Sequence, residues 1–595
     1  MLYAKGTELL TQNLQRWKNL PPNERQAIKD ALLKAFGSDE SAPFAAGPAS
    51  EIAAVELPYQ EWDSFVPTMT ERIQSQGTAN SAGVPKAALQ CLGYTMERIE
   101  KLEEAFPDMP AISSEVVDAM LTPIVGGMHA SKDNIMRLEA TKALRNSLIY
   151  VKKNMGVKSE RDAIMTAICG GTQSEDPSLR QLAFVCMYIV AENYYDILND
   201  YMTAFFQLTT SAIGNDKEDE NVRMAAIEFW DTICKYEQDL LDEENDYQER
   251  GKPLDRPPCP KYIQSAMSNL VPLLLQTLTK QEETVDNDEW NLQSAGATCL
   301  QEISSTVESM IVPLVMPFVE QNITSQDWRF RDAAINAFAS ILEGPDTSVI
   351  GQYVSQAIPV LLSALADVHL VVQDSATNCL GIICRYHLSA VPPDQVQNIL
   401  QGLINKLQPQ VPARIASHAC TAIYNIGQAL KPDSRSEVSN TNILSAPMLA
   451  LLQALLAAAE REDAPEGNLM ISAFSAAGEL VGAAAADMEN VLSEFAPYVL
   501  QKTEEVIRMP SLTRDDLENK EMKVELLFGL MNSVLARSSC EGILPYADRI
   551  MNLIVEVSKN PNAASFEEAI FAGGHLARLL EEGFQVSTCS AMFVF

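Results

Sequence analysis

The amino-acid sequence predicts an all-α protein built as an α-solenoid (superhelix), a stack of similar helix pairs. Three segments with the same spacing of small and aliphatic residues carry this prediction: DWRFRDAAINAFASIL, HLVVQDSATNCLGII and ARIASHACTAIYNI. They align through Asp332, Asp374 and Ser417, which follow one another in steps of 42 and 43 residues. Each segment follows another apolar run with helical periodicity, so one repeat holds two helices. Because a helix pair cannot bury its own apolar face, neighbouring pairs must stack and share a core.

A two-helix repeat of this length is typical of HEAT repeats. The second-helix pattern also recurs upstream, in steps of 52, 43 and 43 residues, at Lys86, Leu138, Gln181 and Met224. Looser copies continue towards the end of the chain. We therefore predict one continuous HEAT-repeat array over residues 1–595, with about 12 to 13 helix pairs and with both ends cut inside the array.

Two segments without clear periodicity interrupt this pattern. Residues 37–50, rich in Ser, Ala, Gly and Pro, read as irregular, and residues 239–260 read as an acidic, proline-rich connection. A third insertion, the acidic loop 280–291 (KQEETVDNDEWN), contains one tryptophan, Trp290. An exposed acidic loop contributes nothing to the core, so we interpret it as a binding feature. The alternative is a solvated loop with Trp290 folded back on the array.

The charge balance points to basic protein partners. The chain has 79 acidic against 44 basic residues and a formal net charge of −35. Nucleic acid is a poor partner because phosphate binding needs clustered Lys and Arg, whereas the negative field attracts basic proteins or segments. The alternative is that the charge only keeps a long solenoid soluble. No run reaches the 18 or more consecutive apolar residues of a membrane span, so we predict no membrane insertion.

The sequence lacks the motifs of catalysis or of metal and cofactor binding. Its five histidines lie far apart, its eleven cysteines include no CxxC pair, and no phosphate-binding glycine loop is present. We therefore predict no catalytic residue, no metal and no cofactor, and hence no enzyme. The scattered cysteines predict buried, reduced thiols in a cytosolic or nuclear protein.

Two neighbouring segments resemble the importin β (karyopherin β) family of nuclear import receptors. These are QTLTKQEETVDNDEWN and, about 36 residues later, DWRFRDAAINAFASILEGP; IEFWDTIC and AGVPKAALQCLGYTMERI are similar as well. The likeness covers nearly the whole chain and is strongest over residues 83–428. By comparison with full-length members, the chain lacks about one and a half N-terminal repeats and the C-terminal third, so residues 1–35 would end the family's N-terminal region.

The resemblance implies a transport receptor that carries proteins into the nucleus. Such a receptor binds cargo or an importin-α-type adaptor, passes FG-repeat nucleoporins and releases its load on binding Ran-GTP. We accordingly expect a monomer in the cytoplasm, in the nucleus and at the nuclear pore. Two alternatives remain open: another karyopherin with different cargo, or a HEAT-repeat scaffold subunit of a phosphatase or kinase assembly.

The family's FG-binding clefts lie between the first helices of adjacent repeats. The resemblance places them here at Leu121, Thr122, Val125, Glu160, Ile164 and Tyr201. A Phe ring needs only a shallow apolar cleft, since many weak contacts act together. The alternative is that the apolar members belong to the ordinary core between repeats. Ala163 stands where the family usually has a large aromatic residue, which leaves one wall of a cleft in question.

The acidic loop matches the family segment that contacts both Ran and the basic segment of importin α. The resemblance assigns this role to Asp286, Asp288 and Glu289, with Trp290 stacking on a cationic side chain. Glu228 is a possible further Ran contact, but its companion one turn onward is Lys235, a reversal of charge.

Two positions depart from the family's adaptor-binding surface. Asn378 and Thr421 stand where the family carries tryptophans that cradle Lys and Arg side chains. We therefore expect weak binding of an importin-α-type adaptor, or direct loading of basic cargo.

Overall fold

The computed structural model describes residues 15–74, 83–129, 133–281, 290–432, 439–511, 513–561 and 563–580. Within these ranges the regular structure is helical, α or 3-10, with no strand. This confirms the predicted all-α class. The chain divides into two compact units, one formed by Met1–Thr277 with Trp290–Thr306 and the other by Leu278–Glu289 with Val307–Phe595.

The first unit is built from helices that alternate between first and second members of a repeat. In chain order they are α1 (Pro22–Ala35), α2 (Ala42–Glu56), α3 (Phe65–Gln74), α4 (Gly83–Ala105), α5 (Ser114–Gly127), α6 (Asn134–Ser147), the short α7 (Lys152–Gly156), α8 (Lys158–Gly171), α9 (Pro177–Asn193), α10 (Met202–Ile213), α11 (Glu220–Glu249), α12 (Tyr262–Thr277) and α13 (Leu292–Val307).

The second unit continues the alternation. Its helices are α14 (Val312–Asn322), α15 (Trp328–Ser340), α16 (Thr347–Ala364), α17 (Leu370–Tyr386), α18 (Pro393–Lys406), α19 (Ala413–Leu430), α20 (Met448–Ala459), α21 (Leu469–Gly482), α22 (Glu489–Arg508), α23 (Arg514–Arg537), the short α24 (Cys540–Ile543), α25 (Ala547–Val557) and α26 (Ser565–Leu580).

Second helices of neighbouring repeats pack directly on one another in both units. In the first unit α4 contacts α2 and α6, and in the second α19 contacts α17 and α21. Small residues permit the close approach: a Cβ placed on Gly93 of α4 would lie 3.0 Å from the Cα of Ala143 on α6. The Ala, Gly and Ser content of the second helices is therefore a packing requirement.

The residues that set the repeat register also connect successive second helices. Asp332 on α15 is fully buried and accepts hydrogen bonds from Ser375 Oγ on α17 and from Gln281 Nε2 at 3.0 Å. Asp374 on α17 accepts from Arg414 Nε at 3.1 Å and from His418 Nδ1 at 2.8 Å, both on α19. Each of these two aspartates therefore joins its repeat to a neighbour.

Two sequence predictions about local structure are wrong in part. Residues 37–41 are non-helical, as predicted for the whole of 37–50, but α2 begins at Ala42 with a proline in its first turn and contains Pro48. Its alanines are buried against α4, so packing outweighs the local breakers. The acidic connection 239–260 is helical as far as Glu249, where α11 ends. Arg256 folds back on this helix and pairs with Glu243 and Glu244, which reduces the repulsion among its acids.

The predicted cysteine chemistry agrees with the described residues. Cys91, Cys186, Cys234, Cys379 and Cys420 are buried. Burial raises the pKa of each of these thiols and keeps it protonated. None of the ten cysteines in the described ranges forms a disulfide.

One described stretch, Leu292–Asn322, is long and apolar enough to cross a membrane, with a mean hydropathy of 1.3. The 3-10 turn Glu308–Ile311 interrupts it, and Glu308 has a positive φ of 51°. A helix pair bent by 116°, Glu466–Gly482 with Ala486–Arg508, passes the same test. Core helices of repeat proteins share this composition, so both stretches fit a protein interior.

Candidate functional site

The six residues that the resemblance assigns to FG binding lie on three neighbouring first helices of the first unit. Helix α8 contacts α5 on one side and α10 on the other. Leu121, Thr122 and Val125 lie on α5, Glu160 and Ile164 on α8, and Tyr201 directly precedes α10. The six residues therefore lie on or beside three first helices that contact one another in turn, and we call this region the α5–α8–α10 cleft.

Exposure separates these residues into a floor and a rim. Leu121 is 6% exposed and Ile164 only 1%, so both belong largely to the core between repeats. Val125 and Tyr201 are half-buried, whereas Thr122 and Glu160 are exposed. A ligand in the cleft would touch the rim first, with the apolar floor beneath it.

A polar network fixes the α5–α8 junction. Asn154 donates through Nδ2 to Asp118 Oδ1 at 2.7 Å and to Glu160 Oε2 at 2.9 Å. Lys153 pairs with Asp118 at 2.9 Å, and the hydrogen bonds from Lys153 and Asn154 lower the pKa of that carboxyl group. Glu160 is thus held in place by an amide, which stabilises one wall of the cleft.

A second network fixes Tyr201 at the α8–α10 junction. Arg161 donates through Nε to the Tyr201 hydroxyl at 3.1 Å, and that hydroxyl donates to Asp162 Oδ1. The Tyr201 ring also stacks on Phe205, with 6.2 Å between the ring centroids. The ring is therefore immobilised, which lowers the entropy cost of packing another aromatic group against it.

Ala163 is exposed on α8, between the two junctions. A methyl group there leaves open the space that a large aromatic residue would fill. The cleft therefore lacks, at this position, the aromatic side chain that the resemblance leads us to expect in its wall.

The acidic loop is only partly described. Trp290 is 63% exposed, so it is not buried in the core. Its role as a binding residue stays a prediction. Asp286, Asp288 and Glu289 lie outside the described residues.

Glu228 is exposed on α11, a second helix. Partial burial, followed by the charge of Asp231, raises its pKa. Lys235, which reverses the charge expected from the resemblance, pairs with Asp231 at 2.7 Å. Much of the Lys235 charge is therefore balanced by Asp231 within α11.

The two positions that depart from the adaptor surface lie on successive second helices. Asn378 is half-buried on α17, and Thr421 is exposed on α19, where its hydroxyl donates to the Ser417 carbonyl at 3.1 Å. Neither offers an aromatic face to a Lys or Arg side chain.

Sequence reasoning missed one further feature, an apolar groove between α20 and α22, because its residues match no motif.

Comparison with known proteins identifies the family. The family model described as importin subunit beta-1-like, TPR repeats, matches residues 394–589, and a HEAT-like repeat model matches residues 328–383. Importin subunit beta-1 of Arabidopsis thaliana is 33% identical over 592 residues, which cover 97% of this chain and 65% of the relative. The counterpart from Schizosaccharomyces pombe is 30% identical over 96% of the chain and 65% of its own length.

Comparison with solved structures points to the same family. A crystal structure of importin beta in an ammonium sulfate condition superposes with a TM-score of 0.84 at 27% identity, over 96% of this chain and 64% of that one. A Kap95:Nup1 complex gives 0.80 at 29%, and a structure of Kap95p with RanGDP gives 0.78 at 29%; both cover 97% of this chain and 65% of the other.

The chain spans about two thirds of the length of the relatives it matches. Sequence likeness and structural likeness extend over nearly all of it, and the HEAT-like and importin-beta-like matches fall on the helices described above. The chain therefore belongs to the importin β family.

Proposed function

We propose that this chain acts as a nuclear import receptor that binds basic cargo, FG-repeat nucleoporins and Ran-GTP. The supporting observation is the likeness over 97% of the chain to Kap95 in structures whose subjects are complexes with Nup1 and with RanGDP. The receptor works by binding and release, not by catalysis. It divides its time between the cytoplasm and the nucleus and passes through the nuclear pore.

The α5–α8–α10 cleft is the proposed site for nucleoporin Phe side chains. Leu121 and Ile164 supply an apolar floor, Val125 adds accessible apolar surface, and the fixed Tyr201 ring supplies an edge. A small cleft of this kind binds one side chain weakly. Several clefts acting on one flexible nucleoporin chain raise the overall affinity without slowing release at each site.

The acidic loop is the proposed site for Ran or basic cargo. The exposed ring of Trp290 is placed to stack on a Lys or Arg side chain. Asp286, Asp288 and Glu289 would attract the same cations, and Glu228 would add a contact on α11. The net charge of −35 supports this assignment because it steers basic partners towards the chain.

Basic cargo is the expected load in preference to an importin-α-type adaptor. Asn378 and Thr421 provide no stacking platform on α17 and α19, so a basic segment would have to rely on carboxylates. An adaptor segment should therefore bind this chain more weakly than it binds a relative with tryptophans at both positions.

Pull-down with Ran tests the proposal. Immobilised chain should retain Ran loaded with GTP in preference to Ran loaded with GDP, and Ran-GTP should displace a bound basic cargo peptide. Equal retention of the two Ran forms, or of neither, would favour a HEAT-repeat scaffold of another assembly. Retention of Ran-GTP without any basic cargo would favour a karyopherin with a different load.

A further inference from the structure

A proline-rich segment joins α11 to α12 in the first unit. Residues 250–261, all of which the structure describes, follow the end of α11 and form no helix or strand. The segment contains the sequence Pro257-Pro258-Cys259-Pro260. The three prolines are exposed, whereas Cys259 is only 7% exposed. We call residues 257–260 the PPCP run.

The prolines restrict the backbone of this run. Each proline ring fixes φ at about −65°, and a proline also disfavours the helical conformation of the residue before it. Pro257 and Cys259 each precede a proline, so both are held in the extended range of a polyproline II helix. Lys261, with a φ of 57°, ends the extended stretch directly before α12. The sequence of the run therefore favours a polyproline II helix over residues 257–260.

One edge of this segment is tied to α11. Arg256 Nη1 pairs with Glu244 Oε1 at 3.2 Å, and the backbone amide of Cys259 donates to the same carboxylate. Arg256 also pairs with Glu243 at 2.7 Å and donates through Nη2 to the Leu240 carbonyl at 2.7 Å. The two tied positions are three residues apart. Because a polyproline II helix has about three residues per turn, both belong to the same edge.

The other two edges are accessible to solvent. Pro257 and Pro260 share one of them, and Pro258 lies on the other. Domains that recognise polyproline II helices, such as SH3 and WW domains, bind the spacing P-x-x-P in a groove lined by aromatic side chains. Such a groove contacts its ligand from one side, so the edge tied to α11 does not block it. The prolines at 257 and 260 have the required spacing on an exposed edge.

We propose that the PPCP run is a docking site for a protein domain whose aromatic-lined groove binds a polyproline II helix. The inference does not rest on the proposed function, because the run lies outside the cleft and the loop assigned to nucleoporins, Ran and cargo. The contacts of Arg256 and Cys259 hold the run in place before a partner binds, which lowers the entropy cost of binding. The folded chain should therefore bind such a domain more tightly than a free peptide with the same residues.

Binding of the full chain to a panel of purified WW and SH3 domains, measured by biolayer interferometry, tests the proposal. At least one domain should bind. The double variant Pro257→Ala with Pro260→Ala should lower that affinity by about tenfold, which corresponds to about 1.4 kcal/mol. Pro253→Ala is the matched control, since Pro253 is exposed in the same segment but lies outside the run. Hydrogen exchange of the α11 and α12 amides should be the same in all variants, which excludes a folding defect.

Three outcomes would overturn the proposal. The first is that no domain of the panel binds the full chain. The second is that Pro253→Ala weakens binding as much as the double variant does, since the run would then not be the contact. The third concerns a synthetic peptide of residues 252–261, which should bind the same domain more weakly than the folded chain. Equal or tighter binding of the peptide would show that the fold does not present the run to a partner.

Discussion

The fully buried carboxylate of Asp332 should make the second unit less stable as the pH rises from about 5 to 7.5. Burial is the largest influence on Asp332 and raises its pKa from 3.8 to about 6, although Ser375, Gln281 and Asn336 donate hydrogen bonds that oppose the shift. The native state therefore binds a proton between pH 4 and pH 6 that the unfolded state has already lost. Stability falls as the pH rises through this range.

The size of the effect follows from the two pKa values. A rise from 3.8 to about 6 corresponds to about 3 kcal/mol in total, of which about 1.4 kcal/mol falls between pH 5.0 and 7.5. Asp332→Asn removes the ionisation while preserving the shape. Its amide oxygen still accepts from Gln281 and Asn336, and its amide nitrogen donates to the Ser375 hydroxyl, which is able to accept.

Hydrogen exchange of the α15 amides is the suitable measurement, since long repeat arrays do not unfold in one step. The exchange rate of wild type relative to Asp332→Asn should increase about tenfold from pH 5.0 to 7.5. Asp367→Asn is the opposite control: burial opposes ionisation of Asp367, but its hydrogen bonds with Arg331 and the His369 amide outweigh burial and lower its pKa. A rate ratio for Asp332→Asn that does not change with pH would refute the reasoning.

The remaining predictions concern the cleft, the tryptophan and the acidic loop. Ile164→Ala should destabilise the α5–α8 junction by about 2–4 kcal/mol and weaken FG-peptide binding. Hydrogen exchange of the α8 amides measures the first effect and peptide titration the second. The control Thr122→Ala, at the exposed rim, should leave stability unchanged. Trp290→Ala should weaken Ran-GTP or basic-cargo binding about fivefold, the value of a partly exposed cation–π contact, and Trp290→Phe should restore part of it in calorimetric titration. Neutralising Asp286, Asp288 and Glu289 together should slow association with Ran-GTP or cargo at low salt in stopped-flow experiments and have little effect at high salt. Unchanged affinity at low salt would count against a role for the loop.

The sequence was informative where side chains repeat and misleading where packing overrides local preference. The spacing of Asp332, Asp374 and Ser417 predicts the repeat, and the structure shows why, since the two aspartates bond to neighbouring second helices. Prediction from local sequence fails for α2, because its alanines pack on α4 and stabilise a helix that continues through Pro48. The prediction of one continuous HEAT array over residues 1–595 stays a prediction.

The candidate sites show a similar division. Motif likeness places Leu121, Ile164 and Tyr201 at adjoining helices, but exposure, which the motif does not report, distinguishes floor from rim. The apolar groove between α20 and α22 is lined by residues of these two helices and of α21 and α23, and Lys502 in its lining pairs with Glu460. Such an arrangement arises from the packing of whole repeats, so it is not readable from residue spacing.

The proposed binding features of the two units lie on different helices of the repeats. First helices carry the α5–α8–α10 cleft in the first unit. In the second unit, residues of the first helices α20 and α22 line an apolar groove together with residues of α21 and α23. Second helices carry carboxylates beside the buried register residues: Glu228 on α11 is exposed, and Glu479 on α21 is half-buried and pairs with Lys431. Under the proposed function, a nucleoporin Phe side chain at the α5–α8–α10 cleft and a basic partner at Glu228 would contact different helices and would therefore not compete for the same side chains.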